Sequence, residues 1–141
     1  MVRAIFARAG FMTYLGVTLD NLEAGVCDAS LEVEPRHLQQ DGFIHAGVLA
    51  ALADHSAGGA AGSLIQTSET VLSVEFKINL LRPAIGERVR CHATVLKPGR
   101  TITVAESEVF AGRPGAEKLV AKATVTLAVV NVDAVRRERG S

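Results

Sequence analysis

The sequence predicts an α+β fold in which one antiparallel sheet of about six strands wraps around a single long central helix, all within one domain over residues 1–141. Two observations lead to this prediction. A run rich in alanine, glycine and serine, residues 45–66, has the length and composition of a buried helix, and apolar residues alternate with polar ones on both sides of it. Alternation gives each strand one apolar face, which the long helix can cover.

Composition sets the class of protein. At 141 residues, with 48% apolar and 21% charged residues, the chain is long enough to bury a hydrophobic core. The formal net charge is zero, whereas nucleic-acid-binding proteins usually carry an excess of basic residues. Polar residues interrupt the long apolar run, so we expect no membrane span. The two cysteines, Cys27 and Cys91, stand in strand-like segments and favour a reducing compartment, so we expect a cytoplasmic protein.

The N-terminal half is predicted to contain two helices and two strands. Apolar residues at helical spacing predict a short amphipathic helix over residues 2–12. Period-two alternation then predicts strands over residues 15–20 and 27–33, with a hairpin turn at residues 21–25 between them. A polar loop follows, and we expect the central helix over about residues 46–66.

The first strand after the helix is predicted over residues 72–80, where apolar and polar residues alternate. Strict alternation assigns Leu72, Val74 and Phe76 to its apolar face. The same pattern assigns Ser73, together with the charged residues that follow it, to the wetter face.

Three further strands are predicted, with turns at residues 97–100 and 112–115, and residues 133–141 are expected to form an exposed or disordered tail. One helix cannot fully cover so wide a sheet, which leaves apolar surface for a second subunit. We therefore expect a homodimer, and a dimer of dimers fits the same pattern.

One carboxylate, Asp54, stands in the middle of the helix, in a stripe otherwise formed by alanine and glycine. Such a groove leaves room for a ligand beside the carboxylate, which could act as a general base on water or attack a carbonyl itself. The alternative is an ordinary helical aspartate that meets a basic partner or solvent.

The predicted start of the helix is a second candidate for chemistry. Free backbone N–H groups at His45, Ala46 and Gly47 could hold a substrate carbonyl that develops negative charge. Taken alone, a histidine at this position is more often a capping or loop residue than a catalytic one. His55 points about 100° away from Asp54 around the helix, so we expect it to form a hydrogen bond across a subunit interface rather than to orient the carboxylate. The spacing of these residues does not fit a helical zinc site, and we predict no metal and no cofactor.

The order of these residues resembles that of a known family. The chain carries Gln39, then His45-Ala46-Gly47, then Asp54, followed by Ser73-Val74-Glu75-Phe76 and Leu81-Arg82-Pro83. Over about residues 14–130 this pattern resembles the hotdog-fold acyl-CoA thioesterases, in particular the PaaI-like group of the 4-hydroxybenzoyl-CoA thioesterase superfamily. The resemblance implies the hotdog fold, in which a sheet wraps around one central helix.

The resemblance also implies roles for individual residues. Asp54 stands at the position of the general base or nucleophile, and Ala46 and Gly47 stand at two glycine positions whose N–H groups polarise the thioester carbonyl. Gln39 is implied to orient the thioester or water, and His45 to hold the loop. Ala46 departs from the family pattern, although its N–H is kept.

Substrate-binding residues follow from the same resemblance. Ser73 matches a serine or threonine that some relatives place near the attacking water. Coenzyme A (CoA) lies across the subunit boundary in this family, with its phosphates close to basic residues near turns, and here the candidates are Arg82, Lys97 and Arg100.

Three functions are compatible with the sequence. The first is hydrolysis of aryl- or short- to medium-chain acyl-CoA thioesters, with CoA as part of the substrate. The second is hydration or dehydration of hydroxyacyl thioesters, which needs a histidine and a carboxylate at one carbon. His45 and Asp54 lie about two and a half helical turns apart and could meet there only across a dimer. The third is non-catalytic binding of acyl-CoA.

Overall fold

The computed structural model describes all residues from Met1 to Ser141. Six strands form one antiparallel sheet in the order β1-β2-β4-β5-β6-β3, wrapped around one long helix, which confirms the predicted α+β architecture. A short 3₁₀ turn, Pro35–His37, precedes the long helix. The helices and strands, in chain order, are α1 Val2–Arg8, α2 Gly10–Leu15, β1 Thr18–Glu23, β2 Val26–Glu32, α3 Ala46–Gly62, β3 Glu69–Leu80, β4 Arg88–Lys97, β5 Ile102–Gly112, β6 Lys118–Asn131 and α4 Val132–Arg139.

The core lies between α3 and the concave face of the sheet. Helix α3 packs against all six strands, and Leu52, Ala53, Ala57 and Ala60 on it are fully buried. Its glycines disfavour a helix by about 1 kcal/mol each relative to alanine, so the surrounding sheet must stabilise it. One buried polar contact anchors it from the side, because Ser107 Oγ on β5 donates a hydrogen bond of 2.7 Å to the carbonyl oxygen of Ala53.

Two adjacent glycines of α3 have opposite surroundings. A Cβ atom at Gly59 would lie 2.8 Å from Cys27 Sγ and 3.0 Å from Phe6 Cε2, closer than real side-chain contacts. A Cβ atom at Gly58 would have no heavy atom within 4 Å. The backbone at Gly59 therefore lets β2 and α1 approach the helix, whereas Gly58 borders open space.

The N-terminal segment forms two helices, so the prediction of one helix over residues 2–12 is wrong. Ala9 adopts an extended conformation (φ −73°, ψ 92°) between α1 and α2. Gly10, a poor helix former, is the first residue of α2, which allows the chain to change direction there. Val2 and Phe6 of α1 and Met12 of α2 turn into the core, so each short helix contributes buried side chains.

The first hairpin is displaced along the chain from its predicted position. Leu15 belongs to α2, β1 continues to Glu23, and the turn is formed by residues 24 and 25 rather than 21–25. A β-bulge between Leu19 and Asn21 lengthens the strand by one residue. Asn21 is accommodated within the strand because its Nδ2 donates to Asp28 Oδ2 on β2 at 3.2 Å.

A second bulge, in β3, overturns the expected direction of Ser73. The register pairs Ser73 with Leu127 but Glu75 with Thr126, so Val74 is an extra residue without a partner on β6. Ser73 therefore shares a sheet face with the buried Leu127, and it points toward α3. Leu72 and Val74, expected on the apolar face, are both largely exposed.

Two helix ends also differ from the sequence pattern. Helix α3 ends at Gly62 rather than near residue 66, since Ser63 Oγ donates to the Ala60 carbonyl at 2.6 Å and accepts from the Gly25 N–H at 2.8 Å. Most of the tail expected at residues 133–141 is helix α4, whose first N–H groups are capped by Asn131. None of the α4 residues is buried, so the tail is exposed but helical. No helix of the chain is both long and apolar enough to cross a bilayer.

The contrast between the two glycines predicts opposite effects of the same substitution. We expect Gly58→Ala to raise the free energy of unfolding by about 0.5–1 kcal/mol, because alanine favours a helix and the site is open. Gly59→Ala should be less stable than Gly58→Ala by about 1–3 kcal/mol, the usual cost of overpacking. Urea unfolding of both variants measures the difference, and equal stabilities would contradict the packing described for Gly59.

Candidate active site

The side chains of Asp54 and Ser73 form the first element of the candidate site. Asp54 is half-buried on α3, four residues before Gly58. Ser73 Oγ on β3 donates a hydrogen bond of 2.6 Å to Asp54 Oδ1, across the contact between helix and strand. This bond fixes one carboxylate oxygen and leaves Oδ2 free to accept a proton.

Asp54 and Ser73 stand at the wall of a cavity of about 340 Å³, here named the carboxylate cavity. It lies between α1, the glycine-rich half of α3 and the start of β3. A volume near the lower end of ~300–1,000 Å³, the range of small-molecule sites, suits a modest organic group. The residues lining it include Val2, Ile5, Phe6, Asp54, His55, Gly58, Ile65, Val71, Ser73 and Leu127.

The N-terminus of α3 forms the second element. His45 is the N-cap residue, and its Nδ1 accepts a hydrogen bond of 2.8 Å from the Gly47 N–H. The Ala46 N–H, by contrast, has no hydrogen-bond partner within the chain. Of the three backbone donors expected from the sequence, the His45 N–H is bonded to the His37 carbonyl and the Gly47 N–H to His45 Nδ1. Only the Ala46 N–H is therefore free to hold an external oxygen.

Ala46 borders a second cavity of about 510 Å³, here named the helix-start cavity. Gln39, His45 and Arg82 also line it. The Gln39 side chain organises the loop before the helix, since its Oε1 accepts from the backbone N–H groups of Asp41 and Phe43. The candidate residues that border a cavity thus fall into two groups, with Asp54 and Ser73 in the carboxylate cavity and Gln39, His45, Ala46 and Arg82 in the helix-start cavity.

The loop before α3 is held by a buried histidine that the sequence does not single out. His37 is 1% exposed, its Nδ1 accepts from the Glu34 N–H at 2.9 Å, and its Nε2 bonds the Leu15 carbonyl at 2.8 Å. The His37 carbonyl in turn accepts from the His45 N–H at 2.8 Å. These bonds join α2, the 3₁₀ turn and the start of α3, and they leave His37 no free nitrogen for catalysis.

The two cavities lie apart in one protomer. Asp54 is eight residues after Ala46 on the same helix, a separation of roughly 12 Å at 1.5 Å per residue. His45 and Asp54 likewise border different cavities. One protomer does not bring the carboxylate, the free N–H and the His45 ring to a single substrate atom.

The three candidate phosphate-binding residues are also divided between two ends of the sheet. Arg82 is exposed and follows the end of β3, beside the helix-start cavity. Lys97 and Arg100 are exposed on the β4–β5 turn, at the opposite end of the sheet, and line neither cavity. No contact in the chain joins Arg82 to the other two.

Two features of the carboxylate cavity are not predicted by the sequence pattern. Helix α1 supplies a wall of the cavity, although its amphipathic spacing indicates only a packing helix. His55 faces the same cavity, packs against the Phe6 ring at 4.3 Å between centroids, and has a buried Nε2 without a hydrogen-bond partner. Nothing in one protomer tests the expected bond of His55 across a subunit interface.

No group of three or more His, Cys, Asp or Glu side chains is arranged to hold a metal ion.

Comparison with known proteins shows a consistent set of relatives. A family model described as "Thioesterase superfamily" matches residues 41–118. A 1,4-dihydroxy-2-naphthoyl-CoA hydrolase of Listeria monocytogenes is 28% identical over 120 residues, covering 85% of this chain and 95% of the relative. The crystal structure of a thioesterase family protein from Silicibacter pomeroyi superposes with a TM-score of 0.89 at 42% identity, over 92% of this chain and 96% of that one.

A variant of the phenylacetic acid degradation protein PaaI from Thermus thermophilus superposes with a TM-score of 0.74 at 28% identity, over 84% of this chain and 97% of that one. The resemblance to PaaI-like thioesterases drawn from the sequence motifs is therefore confirmed, and the hotdog fold with it. The match concerns the family and the fold, and it names no substrate for this chain.

The partly buried His55 predicts how the stability of the fold depends on pH, whatever reaction the protein catalyses. Burial lowers the pKa of His55 below its ordinary value of 6.5, despite the opposing effect of Asp54. Between the folded-state pKa and 6.5, the unfolded chain binds a proton that the folded chain does not. The stability present above pH 6.5 is therefore lost as the pH falls through 6.5 toward the folded-state pKa.

We expect His55→Phe, which keeps a ring against Phe6, to remove this component of the pH dependence. Urea unfolding of both proteins between pH 7.5 and pH 5 should show wild type losing stability faster than the variant, by at most about 1.4 kcal/mol per pH unit. Parallel curves would show that His55 titrates normally.

Proposed function

Since this chain belongs to the thioesterase superfamily, we propose that it hydrolyses acyl-CoA thioesters of aryl or short- to medium-chain acids to the free acid and CoA. The observation that carries the proposal is the Asp54–Ser73 pair at the wall of a largely apolar cavity. The CoA thioester named for the Listeria relative supports this substrate class.

Asp54 activates the attacking water in this proposal. Oδ2 of Asp54 accepts a proton from the water, whose oxygen forms a bond to the thioester carbonyl carbon. The carbonyl oxygen takes up the negative charge, and collapse of the tetrahedral intermediate breaks the C–S bond and releases CoA thiolate. The proton held by Asp54 then returns to the thiolate or to solvent, which restores the carboxylate.

The same geometry serves a nucleophilic route. Asp54 Oδ2 would attack the carbonyl carbon directly, CoA thiolate would leave, and water would cleave the mixed anhydride. In both routes Ser73 is a positioning residue for the carboxylate, because its hydroxyl donates to Oδ1 and leaves Oδ2 for the reaction.

The Ala46 N–H is the proposed donor to the oxyanion. It is free, it lies at the positive end of the α3 dipole, and its neighbour Gly47 is already engaged by His45. Gln39 and His45 support it by fixing the loop and the cap. A single such donor contributes about 2.7–4 kcal/mol in other acyl-transfer enzymes.

Two subunits are needed to bring these groups together, because carboxylate and N–H lie roughly 12 Å apart along one helix. Strand β3 is an edge strand with Val74 62% and Leu80 54% exposed, and an uncovered apolar edge of this kind favours pairing with another chain. Antiparallel pairing of β3 with a second copy would bring the carboxylate cavity of one protomer against the helix-start cavity of the other. We therefore propose a homodimer with two composite sites.

The outer face of the sheet offers a further surface for association. Leu72 and Ile102 both pair with Ala128 across neighbouring strands and are 48% and 45% exposed on that face. Packing of two such faces would give a dimer of dimers, the homotetramer expected from the sequence.

A composite site also explains the division of the basic residues. Arg82 of one protomer would approach the carboxylate cavity of its partner, close to the end of the sheet that carries Lys97 and Arg100. These three cations are the proposed contacts of the CoA phosphates. Arginine offers a bidentate donor geometry and lysine a point charge.

The proposed reaction needs no cofactor beyond the CoA carried by the substrate, because a carboxylate and a backbone donor suffice to activate water. Cys27 and Cys91 are free and buried. Unpaired thiols are typical of a reducing compartment, and we propose the cytoplasm as the location.

Replacing the carboxylate tests the mechanism. We expect Asp54→Asn to lower kcat for acyl-CoA hydrolysis by about 10²–10⁴-fold, the usual contribution of a general base, while CoA binding is retained. Ser73→Ala should lower kcat less, because the base remains and loses only its positioning bond. Thiol release followed with a disulfide reagent over aryl- and alkyl-CoA thioesters measures both variants.

One control variant and two contrary outcomes make the Asp54 result decisive. Gly10→Ala, at an exposed position outside both cavities, should keep wild-type turnover. Retained hydrolysis in Asp54→Asn would remove Asp54 from the mechanism. Tight binding of CoA thioesters by wild type without any thiol release would establish a binding domain instead of an enzyme.

Mixing two variants that each lower activity tests the composite site, since loss of the Gln39 side chain removes the bonds that fix the loop before α3. Asp54→Asn and Gln39→Ala lie in different cavities, so a mixed dimer carries both changes at one site and neither at the other. After subunit exchange at equal amounts, we expect recovery to about 25% of wild-type activity, since half of the dimers each regain one of two sites. Activity that stays at the average of the two variants would contradict a site shared between subunits.

A further inference from the structure

The carboxylate cavity continues beyond the reacting group. From Asp54 it follows α3 past Gly58 to Gly62, a distance of roughly 12 Å along the helix, and Ile65 lines it beyond the helix end. Helix α1 covers this extension with Ile5 and other apolar side chains. The proposed reaction uses only the end at Asp54, so the extension is free to hold another part of the substrate.

The extension is largely apolar, and two of the polar side chains along the cavity already form hydrogen bonds. Glu69 Oε2 accepts from the Gln66 N–H at 2.9 Å, and Ser73 donates to Asp54. Among its fully buried side-chain atoms, Nε2 of His55 has no hydrogen-bond partner. An apolar lining of this kind suits a hydrocarbon portion of the substrate better than the charged nucleotide of CoA.

The three glycines along this part of α3 differ in what they face. A Cβ atom at Gly59 would meet Cys27 and Phe6, and one at Gly62 would lie 3.2 Å from Val2 Cγ2, so both glycines serve the packing of neighbouring elements. Gly58 alone faces open space within the cavity wall. Its missing side chain is therefore not required by packing, and the volume it leaves is available to a ligand.

We propose that Gly58 is a specificity-determining residue, which admits a medium-length acyl chain into the space between α3 and α1. The chain runs from the carbonyl at Asp54 past Gly58 toward Ile65, with Ile5 and Phe6 as its opposite wall. This inference rests on the proposed thioesterase function. To that proposed function it adds a substrate class, namely thioesters whose acyl groups are long enough to reach past Gly58.

Side chains of increasing size at Gly58 test the inference. Each added carbon displaces about one methylene of the acyl group, and each lost methylene contact costs roughly fourfold in binding. We expect the ratio of kcat/KM for decanoyl-CoA to that for butanoyl-CoA to fall about fourfold in Gly58→Ala and about 50-fold in Gly58→Val. The matched control Gly10→Val adds the same side chain at an exposed glycine with open surroundings and should keep the wild-type ratio.

The ratio separates specificity from general damage. Crowding of Asp54 or partial unfolding lowers kcat/KM for both thioesters together, whereas a shortened pocket lowers it for decanoyl-CoA alone. Alanine and valine both favour a helix more than glycine does, so thermal unfolding should show both variants folded. A wild-type ratio retained in Gly58→Val would overturn the inference and leave the thioesterase function intact.

A binding measurement distinguishes failure of the inference from failure of the proposed function. Calorimetry with the non-hydrolysable decanoyl and butanoyl thioethers of CoA reports the same ratio as dissociation constants, without turnover. One outcome is that wild type hydrolyses neither thioester and still binds the decanoyl analogue more tightly, with Gly58→Val abolishing that preference. This result would support the acyl pocket and reject the proposed hydrolysis. If wild type shows no preference for the longer analogue, Gly58 does not admit an acyl chain.

Discussion

The structure depends on the close approach of the α3 backbone to the sheet. Helices usually keep neighbouring elements away with their side chains, whereas α3 presents glycine to Cys27 on β2 and to Phe6 on α1. Six strands can curve around a helix this thin and contact it along its length. The cost is a segment with low intrinsic helix propensity, which the buried Ser107–Ala53 bond and the surrounding core offset.

The same lack of side-chain bulk creates the candidate site. A helix lined with larger residues would fill the space beside Asp54, and the carboxylate would meet protein rather than ligand. At the other end, His37 and the His45 cap satisfy nearly all the polar groups of the loop, which leaves one free N–H at Ala46. Close packing and a well-capped terminus thus yield two reactive positions, a carboxylate and a donor, on one rigid helix.

Much of this arrangement could be predicted from the sequence. Composition identifies α3, and period-two alternation identifies most of the sheet, because both signals reflect burial against the core. The role of α1 in the cavity wall could not be predicted, since amphipathic spacing shows that a helix is buried but not what it covers. Helix α4 was missed because it is short, mostly charged and contributes no buried residue to the core. The contact of Ser73 with Asp54 was missed because alternation assumes an unbroken strand.

The bulge at Val74 makes the length of β3 as important as its composition. One additional residue reverses the parity of the strand, so that Ser73 and Phe76, an odd number of positions apart, both face α3. Regular pairing of the unchanged sequence would turn either the serine or the hydrophobic half of the strand outward, whereas deletion of Val74 would restore regular pairing with Ser73 and Phe76 still facing α3. The contact between Ser73 and Asp54 therefore depends on the spacing of residues along β3 and on the bulge that accommodates it, and not on the residue types alone.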